Sequence, residues 1–171
     1  MFLIIPCLIS IVIMVIEIKE KPPMPQFMAD EKIAEDAAEK ELLARAIYGE
    51  ASNQGDEGMQ AVGNVILNRV NGKDWYGNTI TDVILNPKQF SAFNDIEDKN
   101  YKRMMSATKE NDEAYSKALE IAEGLMQGTI EDNTEGATHY YNPKGANPYW
   151  KDDPLMRSLK QIGDHWFFVE G

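Results

Sequence analysis

The sequence predicts a predominantly α domain of the α+β kind, with a small β element near the C-terminus. Between Asp30 and Gly128, apolar residues recur at helical spacing in segments divided by turn chemistry. From Asp132 onward the texture changes to short aromatic-rich runs around turn residues. At 171 residues and ordinary globular composition, there is room for one domain with a real core.

Residues 2–16 are almost wholly apolar; Glu17 interrupts the run and Ile18 extends it. That is near the short limit of a membrane-spanning helix, roughly 17 to 25 residues. A basic leader and an Ala-x-Ala cleavage site are missing nearby, and Pro6 before Cys7 spoils a lipoprotein reading. Residues 1–18 therefore read as an uncleaved signal-anchor, which makes the membrane an expected partner. A buried strand or helix this uniformly apolar would need burial on every side. Lys19 and Lys21 interleave with Glu17 and Glu20, so charge does not set the orientation. Residues 19–29 read as a linker, since Pro22, Pro23 and Pro25 disfavour helix. The folded domain is expected over 30–171.

Asp30 to Glu50 is helical in composition, polar in its first half and amphipathic in its second. Leu43, Ala46, Ile47 and Glu50 share one helix face. An acid on a core face is costly unless it is paired or protonated. Glu50 is thus either a satisfied structural acid or a proton donor, and periodicity alone favours the structural role. A second helix is expected over Glu57–Val70, with Asp56 as N-cap and Met59, Val62, Ile66 and Val70 as its stripe. Gly63 inside it predicts a close helix–helix approach. Asn68 and Arg69 are either surface residues or reach a cleft. A loop bearing Trp75 and Tyr76 follows, then a short helix over Thr79–Asn86 ended by Pro87. Lys88–Asp95 reads as loop or strand, and Ile96–Lys109 as irregular with some helix. A further helix runs from Asn111-Asp112-Glu113 to Gly128. Ala137–Tyr141 reads as a strand before a turn at Asn142–Gly145, and Pro148–Trp150 and Ile162–Val169 complete the aromatic end.

Composition narrows the function classes. A formal net charge of −11 argues against nucleic acid as a partner. It says little against sugar polymers, which are bound by hydrogen bonds and aromatic stacking. The single cysteine, Cys7, allows no intrachain disulfide and no cysteine-based metal site. His139 and His165 are too few for a histidine-rich metal site and read as structural or cleft-edge residues. No glycine-rich phosphate loop is present, and no cofactor is expected.

The blocks Ala46-Ile47-Tyr48-Gly49-Glu50-Ala51 and Ala61–Val70, then Thr79–Ile84, Gln89-Phe90-Ser91-Ala92, Gly136–Pro143, Trp150 and Ile162–Phe167, occur in order over about residues 41–168. Together they resemble the cell wall hydrolase family of the spore cortex-lytic (SleB-like) type. The resemblance implies a lysozyme-like, lytic transglycosylase-like domain. It implies action on peptidoglycan glycan strands, between N-acetylmuramic acid and N-acetylglucosamine, with Glu50 as the essential acid. A general acid must carry its proton near neutral pH. Apolar neighbours and the negative end of a helix dipole both disfavour a carboxylate.

A lytic transglycosylase can work with Glu50 alone, as acid and then base, and yields a 1,6-anhydro product. If the reaction is hydrolytic, Asp95 is the candidate second carboxylate; its competing reading is a cap for a helix starting at Ile96. Ser91 matches the family's hydroxyl position, and Gln89 is the candidate substrate-binding amide. Tyr140 and Tyr141 match the aromatic pair opposite the acid. On a strand they face opposite sides, and family position favours Tyr141 as the cleft residue. Trp150 and Trp75 are candidate sugar-stacking platforms. Two departures matter. Gly49 stands where many members carry Ala, which predicts a looser helix end beside the acid. No peptidoglycan-binding repeat precedes the domain, so a vegetative wall enzyme or a phage lysis protein fits as well as a cortex enzyme. A non-catalytic glycan-binding domain is the remaining alternative.

Overall fold

The computed structural model describes residues 26–87 and 89–171. The expected anchor over 1–18 lies outside them. Among the described residues no helix is long and apolar enough to cross a membrane.

Helix α1 (Gln26–Ala51) is the spine. It takes in the last residues of the segment read as linker, because no proline follows Pro25 there. Residues 30–38 lie largely at the surface, as their polarity predicts, whereas Leu43, Ala46, Ile47 and Tyr48 are fully buried. Helix α2 (Gly55–Val70) packs across α1. Asp56 is not its N-cap: the helix starts at Gly55, two residues earlier than expected, and Gln54 occupies the cap without a side-chain cap bond. The Gln54 carboxamide oxygen instead accepts the Asp164 N–H at 2.8 Å, tying this corner to the C-terminal hairpin. A 3₁₀ turn (Asp74–Tyr76) follows, then α3 (Ile80–Leu85), capped by the Thr79 hydroxyl on the Asp82 N–H. The 88–95 stretch holds a 3₁₀ turn (Ser91–Phe93) and no strand among its described residues. Helix α4 (Lys99–Ser106) brings order to a stretch expected to be mostly irregular, and α5 (Glu113–Met126) is capped by Asp112.

Helix α2 is apolar on two sides, which decides the architecture. Met59, Val62 and Ile66 join the main helical core with Leu43, Ile47, Ile84, Met104, Tyr115 and Leu125. Ala61 and Val65 face away from it and pack with Ala137 and Phe167 beneath a small sheet. That sheet has the order β1-β3-β2, antiparallel throughout, from β1 (His139–Tyr141), β2 (Met156–Ile162) and β3 (His165–Glu170). Gly63 makes the close approach possible. A Cβ there would lie 2.4 Å from Leu125 Cδ1 and 3.0 Å from Ile47 Cδ1.

The link between α5 and β1 is pinned by Asp132. Its carboxylate accepts the Asn68 amide at 3.0 Å, the Thr134 N–H and hydroxyl at 2.7 and 2.6 Å, and the Gly136 N–H at 2.8 Å. Burial opposes its charge, and these donors together outweigh it and hold the carboxyl below its usual range. The start of β1 is thereby fixed against the C-terminal end of α2.

Candidate active site

Glu50 is the penultimate residue of α1 and is half-buried where the helical lobe meets the sheet. Its surroundings are not wholly apolar. Oε1 accepts the Ala92 N–H at 3.2 Å, and Oε2 accepts the Tyr140 hydroxyl at 3.1 Å. The Ala92 donor sits in the Ser91–Phe93 turn, so the Gln-Phe-Ser block reaches the acid through its backbone. Gly49 permits this approach rather than loosening the helix end. A Cβ on it would come within 2.9 Å of Ala92 Cβ and 2.8 Å of Met104 Sδ.

The tyrosine pair does face opposite ways, and Tyr140 is the one whose hydroxyl meets Glu50. The register explains it. Tyr140 lies opposite Phe167, whose ring is fully buried and stacks on it with centroids 5.8 Å apart; His165 meets it edge-on at 5.1 Å. Burial, then the adjacent Glu50 carboxylate, push the Tyr140 phenol well above its ordinary value. It therefore keeps its proton and donates. Tyr141 projects from the other face, against Trp150 and Phe168.

Arg69 links the two faces. It is buried, donates through Nε to the Thr138 carbonyl at 2.7 Å, and donates through Nη1 to Gln89 Oε1 at 3.1 Å. Its guanidinium lies over the Tyr76 and Phe90 rings. Burial lowers its proton affinity, but a guanidinium stays charged in proteins. From sequence Arg69 stands between surface and cleft; its place beside Asn68 at the C-terminal end of α2, directly after the apolar Val65-Ile66-Leu67, was the available signal.

Gln89 is exposed, and Trp150 is half-buried between His139 and Tyr141. Trp75 is 62% exposed, beside Tyr76 and under Lys73. The Ser91 backbone belongs to the turn that touches Glu50. Asp95 is exposed and accepts the Glu97 N–H at 2.8 Å. It does not cap a helix from Ile96; Asp98 caps α4, which starts at Lys99. Among the described residues no group of three His, Cys, Asp or Glu side chains could hold a metal ion. Burial, then the charge of Arg69, pull the His139 imidazole down to about 4, and burial lowers His165 as well.

Comparison with known proteins gives a consistent family. Residues 53–168 match the cell wall hydrolase family model, beginning just past Glu50. The chain is 33% identical over 127 residues to the spore cortex-lytic enzyme of Oceanobacillus iheyensis, covering 74% of this chain and 40% of that protein. It is 32% identical over 126 residues to the Bacillus subtilis spore cortex-lytic enzyme, covering 74% of this chain and 36% of that one. The chain thus spans well under half the length of these relatives. Among solved structures, it resembles the catalytic domain of the germination-specific lytic transglycosylase SleB from Bacillus anthracis. The TM-score is 0.57 at 30% identity, with 77% of this chain and 93% of that chain covered. The Bacillus cereus SleB catalytic domain matches with the same TM-score and identity, over 78% of this chain and 91% of that one.

Proposed function

The chain belongs to the cell wall hydrolase family, and from that premise we propose that it cleaves peptidoglycan glycan strands between N-acetylmuramic acid and N-acetylglucosamine as a lytic transglycosylase. The observation that carries this reading is Glu50, held at the lobe junction by the Tyr140 hydroxyl and the Ala92 N–H.

In the proposed reaction protonated Glu50 gives its proton to the glycosidic oxygen as the bond from that oxygen to the muramic acid anomeric carbon breaks. The Tyr140 hydroxyl and Ala92 N–H then steady the carboxylate that results, since hydrogen bonds to an ionised acceptor are the stronger kind. The muramic acid 6-hydroxyl attacks the anomeric carbon and its proton passes to Glu50. The acid is regenerated, a 1,6-anhydro ring closes, and no water is consumed.

The apolar run over residues 2–16 supports a membrane anchor that holds this domain against the wall. Mass spectrometry of digested sacculi tests the chemistry. Anhydro-muramic ends are expected; reducing muramic ends throughout would instead indicate hydrolysis, with Asp95 as the candidate second carboxylate.

A further inference from the structure

On the face of β1 turned away from Tyr140, the chain forms an open pocket of about 370 Å³ that Glu50 does not line. Trp75, Tyr149 and Trp150 wall it, with Gln89, His139 and Glu170 among the polar groups. Two of the aromatic walls are held in water rather than in the core: Trp75 is 62% and Tyr149 93% exposed. Exposed aromatic rings with a few convergent polar groups describe a ligand site better than a packing defect. Glu170 is paired with Lys73 at 3.2 Å, and the Asp153 carboxylate on the wall accepts the Leu155 N–H at 2.9 Å, so the pocket offers nothing to draw in an anion. A neutral ligand suits such a pocket better than an ionic one.

Arg69 fixes what Gln89 offers to that ligand. A guanidinium can only donate, so the carboxamide oxygen of Gln89 must face it. The Gln89 nitrogen, with two N–H donors, is left pointing away from Arg69 on an exposed side chain of the pocket wall. The pocket therefore combines aromatic walls for the apolar face of a sugar ring, a donor of fixed sense for a carbonyl, and a carboxylate that can accept from hydroxyls. Gln89 also stands three residues before Ala92, the backbone donor to Glu50. Extended chain of that length spans at most about 11 Å, so the pocket wall and the acid's backbone donor lie within a few sugar units of each other.

We infer that this pocket is a subsite for an N-acetylhexosamine unit of the glycan strand, remote from the cleaved bond, with the Gln89 amide nitrogen donating to the acetamide carbonyl. The inference rests on the reading of Glu50 as a glycan-cleaving acid.

The test uses the full chain carrying Glu50→Gln, titrated calorimetrically with two neutral β-1,4-linked probes, the N-acetylglucosamine pentamer and the glucose pentamer. The acetylated pentamer should bind at least about tenfold more tightly, the discrimination expected of one hydrogen-bonding group. Adding Trp75→Ala should weaken that probe about tenfold, and Gln89→Ala should weaken it while narrowing the gap to the glucose pentamer. Equal affinity for the two pentamers overturns the subsite, as does unchanged affinity in folded Trp75→Ala and Gln89→Ala proteins. Sacculus cleavage by the unsubstituted chain is measured alongside. Cleavage without acetyl-selective binding overturns the subsite alone; selective binding without cleavage overturns the role given to Glu50 and leaves the pocket standing.

Discussion

The Tyr140 hydroxyl donates to Glu50 Oε2 across 3.1 Å, joining the end of the first helix to the first strand over 90 positions of sequence. Removing the acid while keeping its shape is the primary test. Glu50→Gln should lower glycan cleavage about 10²- to 10⁴-fold, the usual worth of a general acid. Circular dichroism and thermal melting should stay close to those of the parent. Near-parental lysis of sacculi by this variant would remove Glu50 from the chemistry.

Tyr140→Phe keeps the ring stacked on Phe167 and deletes one donor to Glu50. A hydrogen bond to a charged group is worth about 1.5–3 kcal/mol, so kcat should fall about 10- to 100-fold. KM should move little, because the lost contact is to the acid rather than to the sugar. Tyr141→Phe, on the far face, is the control; an equal kcat loss there would contradict the orientation of β1.

Gly49→Ala should cost about 1–3 kcal/mol through overpacking and should lower kcat as well. The Met104 thioether can swing aside, but Ala92 can retreat only with its backbone, whose N–H holds Glu50. Paired measurement of melting temperature and turnover decides. A variant destabilised with turnover intact would show that the turn is not coupled to the acid.

Gly63→Ala reverses an ordinary rule. In an exposed helix this exchange would gain about 1 kcal/mol of propensity. Here the new methyl meets Leu125 and Ile47 inside the core. The net effect should be a loss of about 1–2 kcal/mol, read as a lower urea midpoint with unchanged slope.

His139 makes stability depend on pH in a stated direction. Burial, then Arg69, hold its imidazole at about 4 in the folded chain, against about 6.5 unfolded. Over that interval the unfolded chain binds the proton and the folded one does not, so stability is lost as pH falls from about 6.5 towards 4. Asp112 acts at lower pH. The Tyr48 hydroxyl, chiefly, holds its carboxyl below the usual range, so its contribution is present above the unfolded pKa and disappears as pH falls through the folded one. Urea midpoints across this range, repeated with His139→Gln, should show a flatter upper limb for the variant.

Much of this architecture is legible in the sequence because helices announce themselves through short-range periodicity. The buried stripe of α1, the approach at Gly63 and the start of α5 at Asn111-Asp112-Glu113 all follow from neighbours within a few positions. Strand β2 does not. Its register shifts between Ser158 and Lys160, which breaks the alternation by which a strand is recognised. The pair at β1 shows a finer limit. Alternation says that Tyr140 and Tyr141 part company, but which one meets Glu50 depends on the pairing of Tyr140 with the buried Phe167, a relation the local pattern does not contain. Asp56 misleads for a similar reason, since the Gln54 side chain is engaged by a hairpin more than a hundred positions away.

The strand order β1-β3-β2 makes the meeting of Tyr140 and Glu50 depend on a strand that follows both in sequence. Among the described residues β1 pairs with β3 alone, and β3 runs from His165 to Glu170. As the polypeptide leaves the ribosome, Glu50 emerges early and Tyr140 long afterwards, yet nothing in the sheet holds one against the other until His165–Glu170 follows. A chain cut short before that strand would carry Glu50 without the partner strand that aims Tyr140 at it.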